Sequence, residues 1–224
     1  MKYHENPSLL VRTGSHLYGC NVSTSDEDTR GFAIPPINVL LGRIKWEQYE
    51  SKVPDCAIYN ISKFFALLEK SSPNTIEILF ANKANILHID DAGQTLLDNR
   101  ELFVSKQIIN PTVGFAISEW KKVKDSGLEM STKNGGHVVR LLEQGIELLE
   151  TGKITFPRPN ADFLLKVRNG EIRNSDLEAI YNDLRSKIQS AHDTSTLNEN
   201  VDKDKLNRLY IEIIKPSLIE LGLS

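Results

Sequence analysis

The chain begins on short apolar runs with the period of a strand and ends on long apolar stripes with the period of a helix. Leu9, Leu10 and Val11, closed by Arg12, read as a short strand, and residues 29–34 as a second one stopped by Pro35 and Pro36. Residues 55–60 form a third run, which passes without a break into a stripe of Ile61, Phe64, Phe65 and Leu68 at helical spacing. Ser72-Pro73-Asn74 ends that helix and opens another, with Asn74 at the N-cap and Glu77 three residues on, the spacing of a capping box. Glu77 therefore has two readings, the cap and a direct part in a site. Residues 37–52 follow neither period and are predicted as a loop or irregular excursion, and residues 87–91 lead into a helix over 92–103.

Beyond that point the pattern is helical. Val113, Ala116, Ile117, Trp120 and Val123 make one apolar stripe, with Lys121, Lys122 and Lys124 on the other side as a solvated face or a phosphate-binding one. Over residues 136–150, Val138, Leu141, Leu142, Gly145 and Leu149 form a core stripe, while His137, Arg140, Gln144 and Glu147 form a polar stripe of the kind that usually faces water. Gly152 stops this helix, and residues 156–159 are an extended connector. Ser175 and Glu178 have capping-box spacing for a helix through about residue 191. Residues 192–202, rich in Thr, Ser, Asn and Asp, are the stretch expected to be disordered. A last amphipathic segment holds Leu206, Leu209, Tyr210 and Ile213, breaks at Pro216 and resumes with Leu218, Ile219 and Leu221. No internal repeat is visible. The sum predicts an α/β (α+β) fold: a small mixed-sheet domain over residues 1–105, followed by a helical domain over 106–224 that supplies the other wall of a cleft.

Composition narrows the partners. A chain of 224 residues buries roughly 70% of its unfolded surface, so it needs no staples. A net charge of −3 argues against coating nucleic acid through bulk charge and leaves local basic patches open. There is no apolar run of transmembrane length and no basic-then-apolar leader over residues 1–15, so a cytoplasmic protein without a membrane partner is expected. Cys20 and Cys56 suggest neither a disulfide framework nor a zinc site and read as reduced thiols. The histidines form no HxxxH pair and there is no GxxxxGK[ST] string, which sets aside a zinc hydrolase and a P-loop.

The chemically dense stretch is residues 13–31. A Gly14-Ser15 turn between a strand and a helix start offers free backbone N–H groups and a hydroxyl, which suit a phosphate. If Asp26 and Asp28 open the second strand, the period of two aims both carboxylates at one face. Their repulsion is relieved most simply by a divalent cation. A phosphate cradle shortly before a metal pair reads as metal-assisted chemistry on a nucleotide. Tyr18 and Gly19 read as structural, and Arg30 as a partner for a site carboxylate or a surface residue.

Gly-Ser, a gap and Asp-x-Asp resemble the signature of the DNA polymerase β superfamily of nucleotidyltransferases, and the fuller string GSHLYG…SDEDTRG is similar to the branch associated with RNA ligase and RNA repair. The series continues through Asp55-x-x-x-Tyr59, Lys63-Phe64, Asn74-x-x-Glu77-Ile78-Leu79, residues 137–142 and residues 148–152, so the resemblance covers residues 8 to 175. It implies transfer of NMP from an NTP to an acceptor hydroxyl with release of pyrophosphate. The acceptor is open among an RNA end, a protein and a small molecule. The resemblance further implies two Mg²⁺ or Mn²⁺ ions held by Asp26, Asp28 and, from the third strand, Asp55. Gly14 and Ser15 would hold the β- and γ-phosphates, Lys63 or Arg140 would neutralise the triphosphate, and His137 and Arg140 would face the nucleotide. One departure is Glu27 and Thr29, where the superfamily usually has apolar or aromatic residues. Glu27 is either solvated on the far side of the strand or a sign of a degenerate, non-catalytic module that binds nucleotide or a partner.

Overall fold

A computed structural model of the chain describes residues 3–219. After a 3-10 turn at Tyr3–Glu5, strand β1 (Leu9–Thr13) runs into helix α1 (Gly14–Tyr18), and a loop returns the chain as β2 (Asp28–Ala33). Helix α2 (Ile37–Leu40) precedes the hairpin of β3 (Gln48–Lys52) and β4 (Asp55–Asn60). Helices α3 (Ile61–Glu69) and α4 (Pro73–Leu79), strand β5 (Ile86–Ile89) and helix α5 (Asp91–Asp98) complete the first half. The rest is helical: α6 (Ile109–Asp125), α7 (Lys133–Thr151), α8 (Ala161–Arg168), α9 (Asn174–Thr194) and α10 (Lys203–Ile219). Among the described residues no helix is long and apolar enough to cross a membrane.

The strands form one mixed sheet in the order β3-β4-β2-β1-β5, in agreement with the expected class. Among the described residues only β2 and β4 are parallel neighbours. Parallel neighbours need a crossover, and the segment 34–54 supplies it. This is why residues 37–52 are not the predicted irregular loop: they hold α2 and the edge strand β3. Strand β3 carries Gln48, Glu50 and Lys52 and is held through its backbone to β4, so it has no apolar alternation to reveal it. The other edge strand, β5, is four residues long and also escapes prediction.

Register decides what the sheet presents. Leu9 pairs with Phe32, Val11 with Arg30 and Thr13 with Asp28, while Arg30 pairs with Ala57 and Phe32 with Tyr59. One step earlier in the same parallel register, Asp28 stands beside Asp55. Since partners share a face and alternate residues return to it, one face grades along its strands from apolar to charged. At the apolar end, the Phe64 ring of α3 stacks on Phe32 at 5.2 Å. At the other end lie Thr13, Asp28 and Asp55. Asn60 closes β4 and caps α3, its side chain accepting from Ser62 N at 2.8 Å.

Neither capping box forms. Helix α4 begins at Pro73 after Ser72, and Glu77 turns inward, 4% exposed. Helix α9 begins at Asn174 because a bridge between Met130 and Arg173 pins the entering chain, with Asn174 N donating to Glu129 O at 2.7 Å. The predicted helix over 92–103 stops at Asp98 and continues as a 3-10 turn, Arg100–Phe103, that tucks Phe103 against Phe65. In α6 the buried positions are Thr112, Ala116, Trp120 and Val123, and Ile117 points outward.

Helix α7 is the centre of the helical half. At its Gly145, a Cβ would stand 2.8 Å from both Thr112 of α6 and Ile188 of α9, so the glycine lets two helices close on the third. The stretch expected to be disordered is instead tied down: Ser195 Oγ donates to Leu149 O at 2.6 Å, Lys106 N donates to Asn198 O at 2.9 Å, and Lys106 pairs with Glu199 at 2.8 Å. Helix α10 runs through Pro216 without the predicted break, the missing donor falling in its last turns. It returns to the sheet, Tyr210 meeting Phe65 edge-on and its hydroxyl lying 2.7 Å from Ser62 Oγ. Leu221 lies outside the described residues. Both cysteines are free, as expected.

Candidate active site

The turn from β1 into α1 is built on Gly14, whose φ is +64°. A Cβ there would lie 2.1 Å from Asp28 Oδ2, so a carboxylate of the neighbouring strand, not only a ligand, requires the glycine. Gly14→Ala is expected to cost about 1–2 kcal/mol in backbone strain alone and to push the Asp28 carboxylate aside. Thermal unfolding should show a Tm several degrees lower, and an unchanged Tm would mean that the turn relaxes freely.

Asp26 and Asp28 do not both open the strand. Strand β2 starts at Asp28, and Asp26 sits in the loop before it, yet both line one cavity of about 360 Å³ between the sheet and the helical half. Glu27 faces away and pairs with Arg12 at 3.0 Å, a half-exposed ion pair that bears out its solvated reading. Burial raises the Asp28 carboxyl above its ordinary value, and the Asp55 carboxylate beside it raises it further. Asp55, which is not part of the cavity lining, is held by Arg30, with Nη2 to Oδ2 at 3.0 Å.

Among the described residues no group of three or more His, Cys, Asp and Glu side chains could hold a metal ion, so the three aspartates do not close into one ligand set. The Asp28–Asp55 pair still suits a hard cation in kind: two crowded oxygen donors whose negative charge the Arg30 guanidinium offsets only in part. Mg²⁺ is commonly bound by one or two carboxylates, with water and substrate phosphates supplying the rest.

The opposite wall comes from α7 and α8. Lys133, Gly136, His137 and Arg140 line it from α7, and Leu164 and Arg168 from α8. The polar stripe of α7 does not face water, for Arg140 is 2% and Gln144 4% exposed. Arg140 Nη1 donates to Glu77 Oε2 at 3.0 Å and to Gln144 Oε1 at 2.6 Å, and its guanidinium lies 3.9 Å from the centroid of the Tyr18 ring. The Tyr18 hydroxyl donates to both Glu77 oxygens, at 2.9 and 3.1 Å. Burial raises the Glu77 carboxyl, and Arg140 and Tyr18 offset part of that. The network thus ties α1, α4 and α7 together.

Arg140 Nη2 donates to His137 Nδ1 at 3.1 Å. Burial first, then the Arg140 charge, lowers the His137 imidazole to about 3, so it is neutral at physiological pH and carries its proton on Nε2.

Of the residues singled out from sequence, Gly14, Ser15, Asp26, Asp28, His137 and Arg140 meet at this cavity, and Asp55 stands behind it. Lys63 does not reach it: on the outside of α3 it pairs with Glu47 at 3.4 Å. Two lining cations, Lys133 and Arg168, went unrecognised, and a third, Arg30, takes the first of its two expected roles by pairing with Asp55. Nothing in the sequence distinguishes Lys133 or Arg168 from surface charges. Neither of these two has a carboxylate partner among the described residues, and Arg168 Nη1 donates to Cys20 O at 3.2 Å, bracing the loop that carries Asp26. Glu77 stood in a visible motif, where local spacing favoured the cap.

Searches of the curated proteins and of the solved structures each found no match. A family model does match, over residues 8–212, a span that takes in every element lining the cavity. The match spans well over half of the chain: the chain belongs to RlaP, the RNA repair pathway DNA polymerase beta family.

Proposed function

We propose that this protein is a metal-dependent nucleotidyltransferase that moves NMP from an NTP to an acceptor hydroxyl and releases pyrophosphate. The observation that carries this reading is the pairing of walls in one cavity: Asp26 and Asp28 on the sheet side, with Asp55 beside Asp28, and on the helical side Lys133 and Arg168, which pair with no carboxylate among the described residues. That arrangement separates a site for cations from a site for polyphosphate, as transfer of a nucleotidyl group requires. Division of the chain near residue 105 follows the same logic, residues 1–105 carrying Asp26, Asp28 and Asp55 together with Arg30, and residues 106–224 carrying Lys133 and Arg168.

Asp28 and Asp55, with Asp26 from the loop, would hold Mg²⁺ or Mn²⁺, two ions in the full reaction. Such ions activate the attacking hydroxyl and neutralise the triphosphate. Gly14 and Ser15 would meet the β- and γ-phosphates at the β1–α1 turn. Arg140, spent on Glu77, would act on the nucleotide through His137, whose Nε2–H is a neutral donor. An RNA end is the acceptor that the family's description supports.

Lys133 and Arg168 take over the role expected of Lys63. Lys133→Ala and Arg168→Ala should each weaken NTP binding by about 1.5–3 kcal/mol, the range for hydrogen bonds to charged groups. Binding of the corresponding nucleoside should hardly change. Calorimetric titration with NTP, NMP and nucleoside checks this, and equal losses for all three ligands would move the phosphates elsewhere.

The rival reading, a non-catalytic module, draws on two observations: Arg30 occupies Asp55, and among the described residues no three-donor group is assembled. Incubation with α-labelled NTPs and RNAs of defined ends decides between the two. Label on RNA with release of pyrophosphate supports the transferase. Nucleotide binding without either product supports the module, and label on protein or a small molecule redirects the acceptor.

A further inference from the structure

Among the described residues three arginines line the cavity, and the two paired with carboxylates, Arg140 and Arg30, are held in opposite ways. The Arg140–Glu77 pair is locked, its side chains 3% and 5% exposed. The Arg30–Asp55 pair is open to solvent, its side chains 25% and 44% exposed. Arg30 lies two residues after Asp28 on the same face of β2, and Asp55 lies beside Asp28 on β4. The Arg30 guanidinium folds back along the strand, its Nη1 donating to Thr29 O at 2.8 Å and its Nη2 to Asp55 Oδ2 at 3.0 Å. In this arrangement the cation beside the carboxylate pair is the protein's own.

We infer that Arg30 is the resident counter-ion of the Asp28–Asp55 pair and must be drawn off by the phosphates of an incoming nucleotide before the pair takes a divalent cation, so that metal and nucleotide bind together. The inference rests on the nucleotidyl-transfer reading and adds an order of binding to it. Two carboxylates and one guanidinium sum to a single negative charge. A divalent ion entering alone meets the positive charge of Arg30 and must compete with it for Asp55. A triphosphate changes the balance, because its oxygens match the guanidinium fork, and Arg30 already lines the cavity.

Exchange is feasible here and not at Arg140. An ion pair open to water is screened and easily remade. Separating Arg140 from Glu77 would strand a buried charge.

Mn²⁺ binding followed by electron paramagnetic resonance tests this on the full chain, with and without a non-hydrolysable α,β-methylene NTP analogue. The unmodified protein alone should bind Mn²⁺ weakly, and the analogue should tighten binding tenfold or more. Arg30→Gln alone should bind Mn²⁺ at least fivefold tighter than the unmodified protein alone and gain less from the analogue. Arg30→Lys, which keeps the charge, should stay close to the unmodified protein, and it carries the comparison if the glutamine variant fails to fold. A folded Arg30→Gln variant that binds Mn²⁺ no tighter overturns the inference alone, as does an Arg30→Lys variant that matches a tighter-binding glutamine variant. If the unmodified protein takes up no Mn²⁺ even with the analogue, the transfer reading falls and this inference falls with it.

Discussion

Asp28→Asn should reduce turnover by at least about a hundredfold while leaving the fold intact. The magnitude follows from the role proposed for the residue: if the carboxylate helps to hold a cation worth several kcal/mol to the transition state, each 1.36 kcal/mol lost is tenfold in rate. Stability should move the other way. The Asp28 carboxyl is raised above its ordinary value by burial and by Asp55, so at neutral pH its ionised form destabilises the folded state. That penalty is full above the folded-state value and eases as pH falls through it. Asparagine removes the charge, so the Tm of the ligand-free protein at pH 7 should hold or rise, and the gain should shrink as the pH is lowered toward the ordinary carboxylate range. Steady-state pyrophosphate release and thermal melts at several pH values check both halves. Near-normal turnover would take Asp28 out of the reaction, and a large loss of Tm would make it a structural residue.

Arg140→Ala is the second large effect, and it should appear as instability. The side chain is 2% exposed and holds Glu77, Gln144, His137 and the face of Tyr18 together. Removing one partner of a buried pair costs about 3–5 kcal/mol, since the other charge is left uncompensated. The relief available to Glu77 is protonation, and bringing an ordinary glutamate to its neutral form at pH 7 costs about 3–4 kcal/mol, at 1.36 kcal/mol per unit. In the variant the folded-state carboxyl lies far above its unfolded value. The penalty is therefore full above that raised value and is relieved as pH falls toward the ordinary one. Denaturant unfolding at pH 7 and pH 5 should show the deficit shrinking at the lower pH, and Glu77→Gln in the same chain should recover part of it. A deficit independent of pH would mean that lost packing against Tyr18, and not the stranded carboxylate, sets the cost. Leu141→Ala, at a position 1% exposed, should cost a similar amount, about 2–5 kcal/mol, without that pH dependence. Arg140 and Leu141 are therefore not separable as a ligand residue and a core residue, as a polar and an apolar stripe on one helix suggest.

Helix α7 shows how far a sequence pattern reaches. Its periodicity located both stripes and the stop at Gly152, because apolar spacing and a glycine C-cap act within a few residues of the chain. It could not say what the polar stripe faces. That depends on α4, more than fifty residues earlier, delivering a carboxylate that makes it worthwhile to bury an arginine. Glu77 was misjudged for the same reason, its spacing from Asn74 being local and its partner Arg140 being 63 positions away.

The sequence by itself determined the three strands of the candidate site, the helix that follows β4, the Gly-Ser turn and the aspartates, since each is carried by local alternation, a turn residue or a motif of fixed spacing. Edge strands β3 and β5 were not legible, because backbone pairing holds a strand that has little apolar surface to pattern. The tertiary structure alone decided that Asp28 and Asp55 stand side by side, through the parallel register of β2 and β4. It alone placed Lys133 and Arg168 at the cavity and Lys63 outside it. An isolated basic residue has no local signature, and its function is set by which surface it meets after folding.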